Sequence, residues 1–461
     1  MSAAFLDALL AAVLAGLAGA VIFSLLGLVS GTDETATLAP LTLAVVLLGV
    51  PPAGVLAFFI AGATAKHMTH AVPTALLGIP GDTMAIALME EANFLRRLGV
   101  PHIALRKMVS AGLFSALLAV PISVLAASLL ANAADSIRTV VPYLFPLIAL
   151  GIAYLSRGRW AAVLAMVPFT AMITALNAYV ETQIDKTLSI SFFVGLAIGP
   201  MIIDLVGLSS PTTRTTLLRE HRPRFWLAPD QPSTTAKRWS GPTSVLNRKE
   251  AGTTAAAATV TSLTFVVSPM AMAILVGEVV GSRVKQGYQR LTRVISVRNG
   301  VTDSTYLAET LIPLVAVGLP LSPIAAGAAA PLFNAPPVYS VGDDHGGQLH
   351  NLHSLLTAPE FLVFSMIGVI AAGLIAYPLT MNYARQAALF VASKLSHEAV
   401  VGAFAGLVLV VTLYEGGVWG VIVLLTVGLI GGMLNKTLGM HAGVQCMAYY
   451  VSVLSVPVLF G

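Results

Sequence analysis

Charge is what this chain has least of. Asp, Glu, Lys and Arg make up only 10% of its 461 residues, against roughly 25% in a soluble domain. Together with 57% hydrophobic residues and a mean hydropathy of +0.86, that scarcity excludes a soluble globular fold. Cysteine is almost absent: Cys446 stands alone, so no internal disulfide can form and the redox compartment stays open. No Walker lysine, Gly-x-Ser-x-Gly elbow or His-Glu-x-x-His pair occurs, which leaves neither an ATPase engine nor a common hydrolase site visible. Any energy source must be an ion gradient or the solute's own gradient. The short polar-apolar alternation of an outer-membrane barrel is missing too. The class that remains is an all-α polytopic membrane protein.

Apolar runs long enough to span, about 20 residues each, lie near 5 to 30, 103 to 133, 139 to 155, 159 to 178, 187 to 208, 355 to 383, 398 to 414, 417 to 434 and 440 to 460. Interrupted runs lie at 37 to 65, 71 to 92, 252 to 281 and 305 to 333. The expected count is about 10–14 membrane segments. The first run follows Asp7 and no basic residue, and lacks a small-residue cleavage pattern, so it is expected to stay as the first helix.

Two interrupted runs share a pattern. Pro73-Thr74-Ala75-Leu76-Leu77-Gly78-Ile79-Pro80 and Pro313-Leu314-Val315-Ala316-Val317-Gly318-Leu319-Pro320 both read Pro, four residues, Gly, aliphatic, Pro. Such a pair stops a helix, because proline removes a backbone donor and blocks the preceding turn. Broken backbone at membrane depth survives only where protein buries it or a cavity is lined by it. Matched breaks in two halves are therefore a pointer to a transporter binding site.

Further matches keep the same order. Pro121 answers Pro378, and the run from Asp185 to Ser189 answers Asn435 to Gly439. The chain reads as a duplication: a first transmembrane repeat at 1–208, a polar basic linker at 209–249 and a second repeat at 250–461. Positive residues mark cytoplasmic loops, so the linker, with Arg214, Arg219, Arg222, Arg224, Lys237 and Arg238, is expected in the cytoplasm. The run at 252 to 281 has basic residues on both flanks and Ser268-Pro269 in its middle, which predicts a hairpin. Inverted repeats with broken or re-entrant helices are the expected architecture.

The candidate binding residues follow from the breaks. Gly78, Ile79, Pro80, Gly81, Asp82 and Thr83 form the first, and Gly318, Leu319, Pro320, Leu321 and Ser322 the second. A restarting helix offers free N–H groups to an anion, and a preceding helix end offers carbonyl oxygens to a cation. Gly81 is expected to let solute approach closely or to supply a positive φ. Asp82 is either a coupling-ion ligand or proton carrier, or the cap of the restarted helix. The polar stretch Val29 to Thr37, with Thr32, lines a substrate path or is a solvated loop, and the loop reading is favoured. Lys66, His67 and His70 precede the first break; they attract an anion, shuttle protons or anchor at the interface, and the anchoring reading is favoured. Asp204 and Glu415 read as helix-end charges. His345, His350 and His353 with Asp343 and Asp344 match no zinc signature and read as a solvated loop; neither a metal nor a cofactor is expected.

These motifs together resemble the large permease subunit of tripartite tricarboxylate transporters. Gly31 to Thr37 occupies the place of the family's Pro-Gly-Leu-Gly-Pro, Pro40-Leu41-Thr42 follows it, Gly78-Ile79-Pro80-Gly81 is present in full, and Gly318-Leu319-Pro320-Leu321 stands where the second Gly-Ile-Pro-Gly belongs. The resemblance implies a permease of the inner membrane. It would take a carboxylated solute from a periplasmic binding protein, work with a small membrane subunit, and be coupled to sodium or protons. Leu321 in place of glycine, and Asp33-Glu34 where the family presents bare backbone, leave the solute open. Two other readings also stay open: a stand-alone translocase for a polyprenyl phosphate or glycolipid carrier, and a membrane-embedded transferase or scaffold. Nothing points to nucleic acid.

Overall fold

A computed structural model describes residues 3–30, 32–185, 188–211, 227, 241–333, 352–394 and 397–460. Helices dominate, and no strand occurs among the described residues. Helix α1 runs Ala3–Gly27, α2 Glu34–Leu47 and α3 Pro52–Thr69. After the first break come α4 at Met89–Arg97, α5 at Pro101–Leu130, α6 at Ala134–Leu155, α7 at Trp160–Ile184 and α8 at Ser189–Ser209. Beyond the linker follow α9 at Arg248–Thr261, α10 at Pro269–Ser282 and α11 at Gly287–Ala316. The last set is α12 at Ala358–Lys394, α13 at His397–Leu438 and α14 at Ala442–Tyr450, which runs on to Phe460. Seven of these helices are long and apolar enough to cross a membrane. The protein is an all-α polytopic membrane protein.

Local sequence explains the boundaries. Pro52 and Pro101 each take the first position of a helix, where the missing N–H has no partner to lose. At α9 Asn247 and Glu250 cap each other's backbone donors, a reciprocal capping box. In α13 the helix is interrupted at Gly416 and Gly417, and the Glu415 carboxylate there accepts from the backbone N–H groups of Ile190 and Ser191 at the start of α8. Glu415 is thus a helix cap delivered from another helix. Asp204 pairs with Lys436 at 2.9 Å in a part-exposed position, as a helix-end charge should.

The elements recur in order. A helix pair precedes a long helix, α1 and α2 before α3, α9 and α10 before α11. A break then follows, and next comes a long helix with an internal proline, Pro121 in α5 and Pro378 in α12. The expected hairpin at 252 to 281 is α9 and α10, joined through 262–268. Partners are exchanged between the sets: α5 packs along α11, while α12 packs along α3. Small residues permit these approaches; a methyl group on Gly112 of α5 would meet Asp303 and Asn299 of α11. Left-handed residues end both α7 and α13, at Asp185 and Gly439. Most of the linker lies outside the described residues.

Candidate functional site

Both breaks turn on a glycine. The last residues of each preceding helix hand over to Gly78 at φ 71° and Gly318 at φ 72°, a left-handed conformation that costs a residue with a Cβ roughly 1–2 kcal/mol. Each break then restarts a helix with a side-chain cap. Asp82 Oδ1 accepts from the Ala85 N–H at 3.0 Å, and Ser322 Oγ accepts from the Ala325 N–H at 3.1 Å. Ile79 and Pro80 are exposed, whereas Gly81, Asp82, Gly318, Pro320, Leu321 and Ser322 are buried; Thr83 and Leu319 are half-buried.

The positive φ expected as one alternative at Gly81 is absent. A Cβ there would come 2.6 Å from the His70 carbonyl oxygen and Cβ, so the glycine lets the break lie against the backbone at the end of α3.

The stretch after α1 is not a solvated loop. Thr32, Glu34, Thr35 and Thr37 are all buried. Ser30 Oγ donates to the Pro80 carbonyl at 2.7 Å, and Thr83 Oγ1 donates to Glu34 Oε2 at 3.2 Å, so this stretch is tied to the first break. It also reaches the second, because a methyl group on Gly327, just past Pro323–Ala326, would lie 3.1 Å from Thr35 Oγ1. Asp33, whose carboxylate caps α2, lies 3.7 Å from His441 at the start of α14. The two breaks meet through residues 30–35; no hydrogen bond joins them directly among the described residues. Gly31 is outside the described residues.

Lys66, His67 and His70 are not interfacial anchors. All three are buried, on the side of α3 that faces this stretch. Lys66 Nζ donates to the Thr32 carbonyl at 2.8 Å. His70 Nδ1 bonds Asp82 Oδ2 at 2.7 Å. His67 Nδ1 bonds Asp303 Oδ1 at 2.7 Å, and its Nε2 lies 3.6 Å from Glu34 Oε1. Asp303 also accepts from Asn299, which in turn donates to the Met108 carbonyl of α5. Four carboxylates, of Asp33, Glu34, Asp82 and Asp303, thus face one lysine and three histidines. With His67, His70 and His441 protonated the group is neutral. Glu34, His67 and Asp82 also bring one ligand atom each within 4.8 Å of the others, a spacing that a cation could bridge.

Several buried polar atoms here have no hydrogen-bond partner: Glu34 Oε1, His67 Nε2, His70 Nε2, the Tyr306 hydroxyl and both carboxyl oxygens of Glu309. Unpartnered buried groups are rare in folded proteins, and these gather around the breaks.

The sequence profile of the Tripartite tricarboxylate transporter TctA family matches residues 13–442. The chain belongs to that family. Its members are transporter components, so transport across a membrane is the coarse function of this TctA-family chain. No curated protein and no solved structure matches it.

The sequence reading missed most of α11. Asn299, Asp303, Tyr306 and Glu309 are buried there with Arg298, which donates to Glu91 at 2.6 Å and to the Ala87 carbonyl at 3.0 Å. The available signal was charged and amide residues at helical spacing, Asn299 to Asp303 and Tyr306 to Glu309, directly before the second break. Of the loop histidines only His353 is described, and it bonds the Leu314 and Val315 carbonyls at the end of α11. His345, His350, Asp343 and Asp344 lie outside the described residues.

Proposed function

We propose that this chain is the conducting subunit of a tripartite carboxylate transporter of the inner membrane, holding an anionic solute between the two breaks and moving it by ion coupling. The observation that carries the reading is Lys66. It is buried beside the stretch that joins both breaks, and among the described residues it spends one of its three ammonium donors on protein, so donors remain for a carboxylate. Gly78 to Thr83, Gly318 to Ser322 and Thr32 are the residues assigned to solute.

Asp82 is assigned to coupling. Its carboxylate is bonded to His70 and stands within reach of Glu34 and His67, so gain or loss of one positive charge in this group would alter how the first break is held. The two repeats are read as inverted about an axis between the breaks, with the linker cytoplasmic. A periplasmic binding protein would deliver the solute and a small membrane subunit would complete the assembly.

The experiment is uptake of labelled di- and tricarboxylates by proteoliposomes containing the chain and its small subunit, with binding protein supplied. Uptake should follow an imposed sodium or proton gradient. Asp82→Asn keeps the cap, since asparagine caps as well as aspartate, and should change the ion and pH dependence. If Asp82→Asn behaves as the parent while Asp82→Ala fails, the residue only caps a helix.

A further inference from the structure

Glu309 stands apart from every other buried acid around the breaks. Its side chain is buried in α11, and neither carboxyl oxygen has a hydrogen-bond partner among the described residues. The groups nearest its carboxyl are the Ser322 hydroxyl and the Ile324 N–H of the second break, neither in hydrogen-bond geometry. Ser322 Oγ instead donates to the Glu309 backbone carbonyl at 3.2 Å.

No cationic side chain forms an ion pair with Glu309 among the described residues, and several on the elements around α11 are committed elsewhere. Lys66 and His67 of α3 serve Thr32, Asp303 and Glu34. Arg298 of α11 itself serves Glu91 of α4 and Glu278 of α10. Lys107 of α5 pairs with Glu250 of α9. His353 bonds the carbonyls at the end of α11. Tyr306, one helical turn before Glu309, has an unpartnered hydroxyl and sets its ring edge-on to His67 at 4.6 Å between centroids.

A bare carboxylate charge without a counter-ion or hydrogen bond is not tolerated in a low-dielectric interior. Something must neutralise it, and a side chain of the described residues does not. We propose that Glu309 is a proton-binding site at the second break, taking up and releasing one proton as the break opens to water on alternate sides. A proton satisfies the carboxyl without further ligands. A sodium ion would instead need several oxygen ligands around it. The exchange is O–H bond formation on uptake and heterolysis on release, with water as donor and acceptor. The inference rests on the transport reading for its place in a cycle, but not for the existence of the site.

The test is infrared spectroscopy of the purified full-length chain, which separates the C=O stretch of a protonated carboxylic acid from the carboxylate and amide bands. Wild type minus Glu309→Gln should show one protonated-carboxyl band, unchanged by sodium chloride at fixed pH. Above the group's midpoint the band should fall about tenfold per pH unit. No such band, or a band abolished by sodium at constant pH, overturns the proposal. Dicyclohexylcarbodiimide labelling of wild type, read by mass spectrometry, covers the case in which the variant fails to fold. The reagent attacks protonated buried carboxyls, so the Glu309 peptide should be modified and sodium should not protect it. Protection by sodium overturns the proton assignment. Loss of carboxylate uptake by wild type, with the infrared band intact, would instead sink the transport reading and leave the site standing.

Discussion

At the first break Asp82 is bonded both to His70 and to the Ala85 N–H, whereas beside the second the Glu309 carboxyl has no hydrogen-bond partner among the described residues. Yet the backbone turns through a left-handed glycine at both, with φ 71° and 72°, and a side chain caps the restarted helix at both. The backbone conformation is the same at the two breaks while the charge around them differs. The lesson is that a matched break supplies a shape, and the side chains on the preceding helix decide what that shape can bind. In one half those side chains are Lys66, His67 and His70 of α3; in the other they are Tyr306 and Glu309 of α11.

The comparison is open to measurement, beginning with the largest expected effect. His67→Ala would leave Asp303 and Glu34 buried without their shared partner, and breaking a buried pair costs about 3–5 kcal/mol. Glu309→Gln removes no hydrogen bond, so its loss should stay under about 1.5 kcal/mol. Denaturant or thermal unfolding in detergent compares the two; equal losses would mean the first cluster is no better paired than the second. Next comes Gly81→Ala, which forces a methyl against the His70 backbone and should cost about 1–3 kcal/mol. A neutral result would show that the approach to the His70 backbone is not what requires glycine at this position.

Gly78→Ala and Gly318→Ala should each lose roughly 1–2 kcal/mol, the cost of a left-handed alanine. Tolerance at one position and not the other would break the backbone equivalence of the halves. The smallest effect is expected for Ser322→Ala, where losing a cap costs about 1 kcal/mol. A much larger loss would show that its bond to the Glu309 carbonyl also holds the break closed.

Much of the fold was legible in the sequence because apolar runs and prolines mark membrane helices directly. Runs read at 103 to 133, 187 to 208 and 355 to 383 appear as α5, α8 and α12, and the basic flanks of 252 to 281 reveal a hairpin that hydropathy alone would misread as a span. The breaks were legible for the same reason, since Gly78 and Gly318 each stand two residues before a proline. The cluster was not. Lys66, His67 and His70 look like an interfacial set when only neighbours in sequence are weighed, and their acidic partners are supplied by α2, by the first break and by Asp303 on α11, up to 236 residues away. Nor could the sequence place Gly81, because the atom that forbids a Cβ belongs to another helix.

The central claim is that an anion binds between the breaks beside Lys66, and ligand-induced stabilisation tests it most directly. A ligand that binds only the folded state raises the unfolding temperature by mass action, so unfolding of the purified chain should be followed with citrate and smaller dicarboxylates, in parallel with Lys66→Met. The account predicts a concentration-dependent rise for at least one carboxylate with wild type and none with Lys66→Met. An equal rise in both proteins, or no rise with any carboxylate, would contradict it.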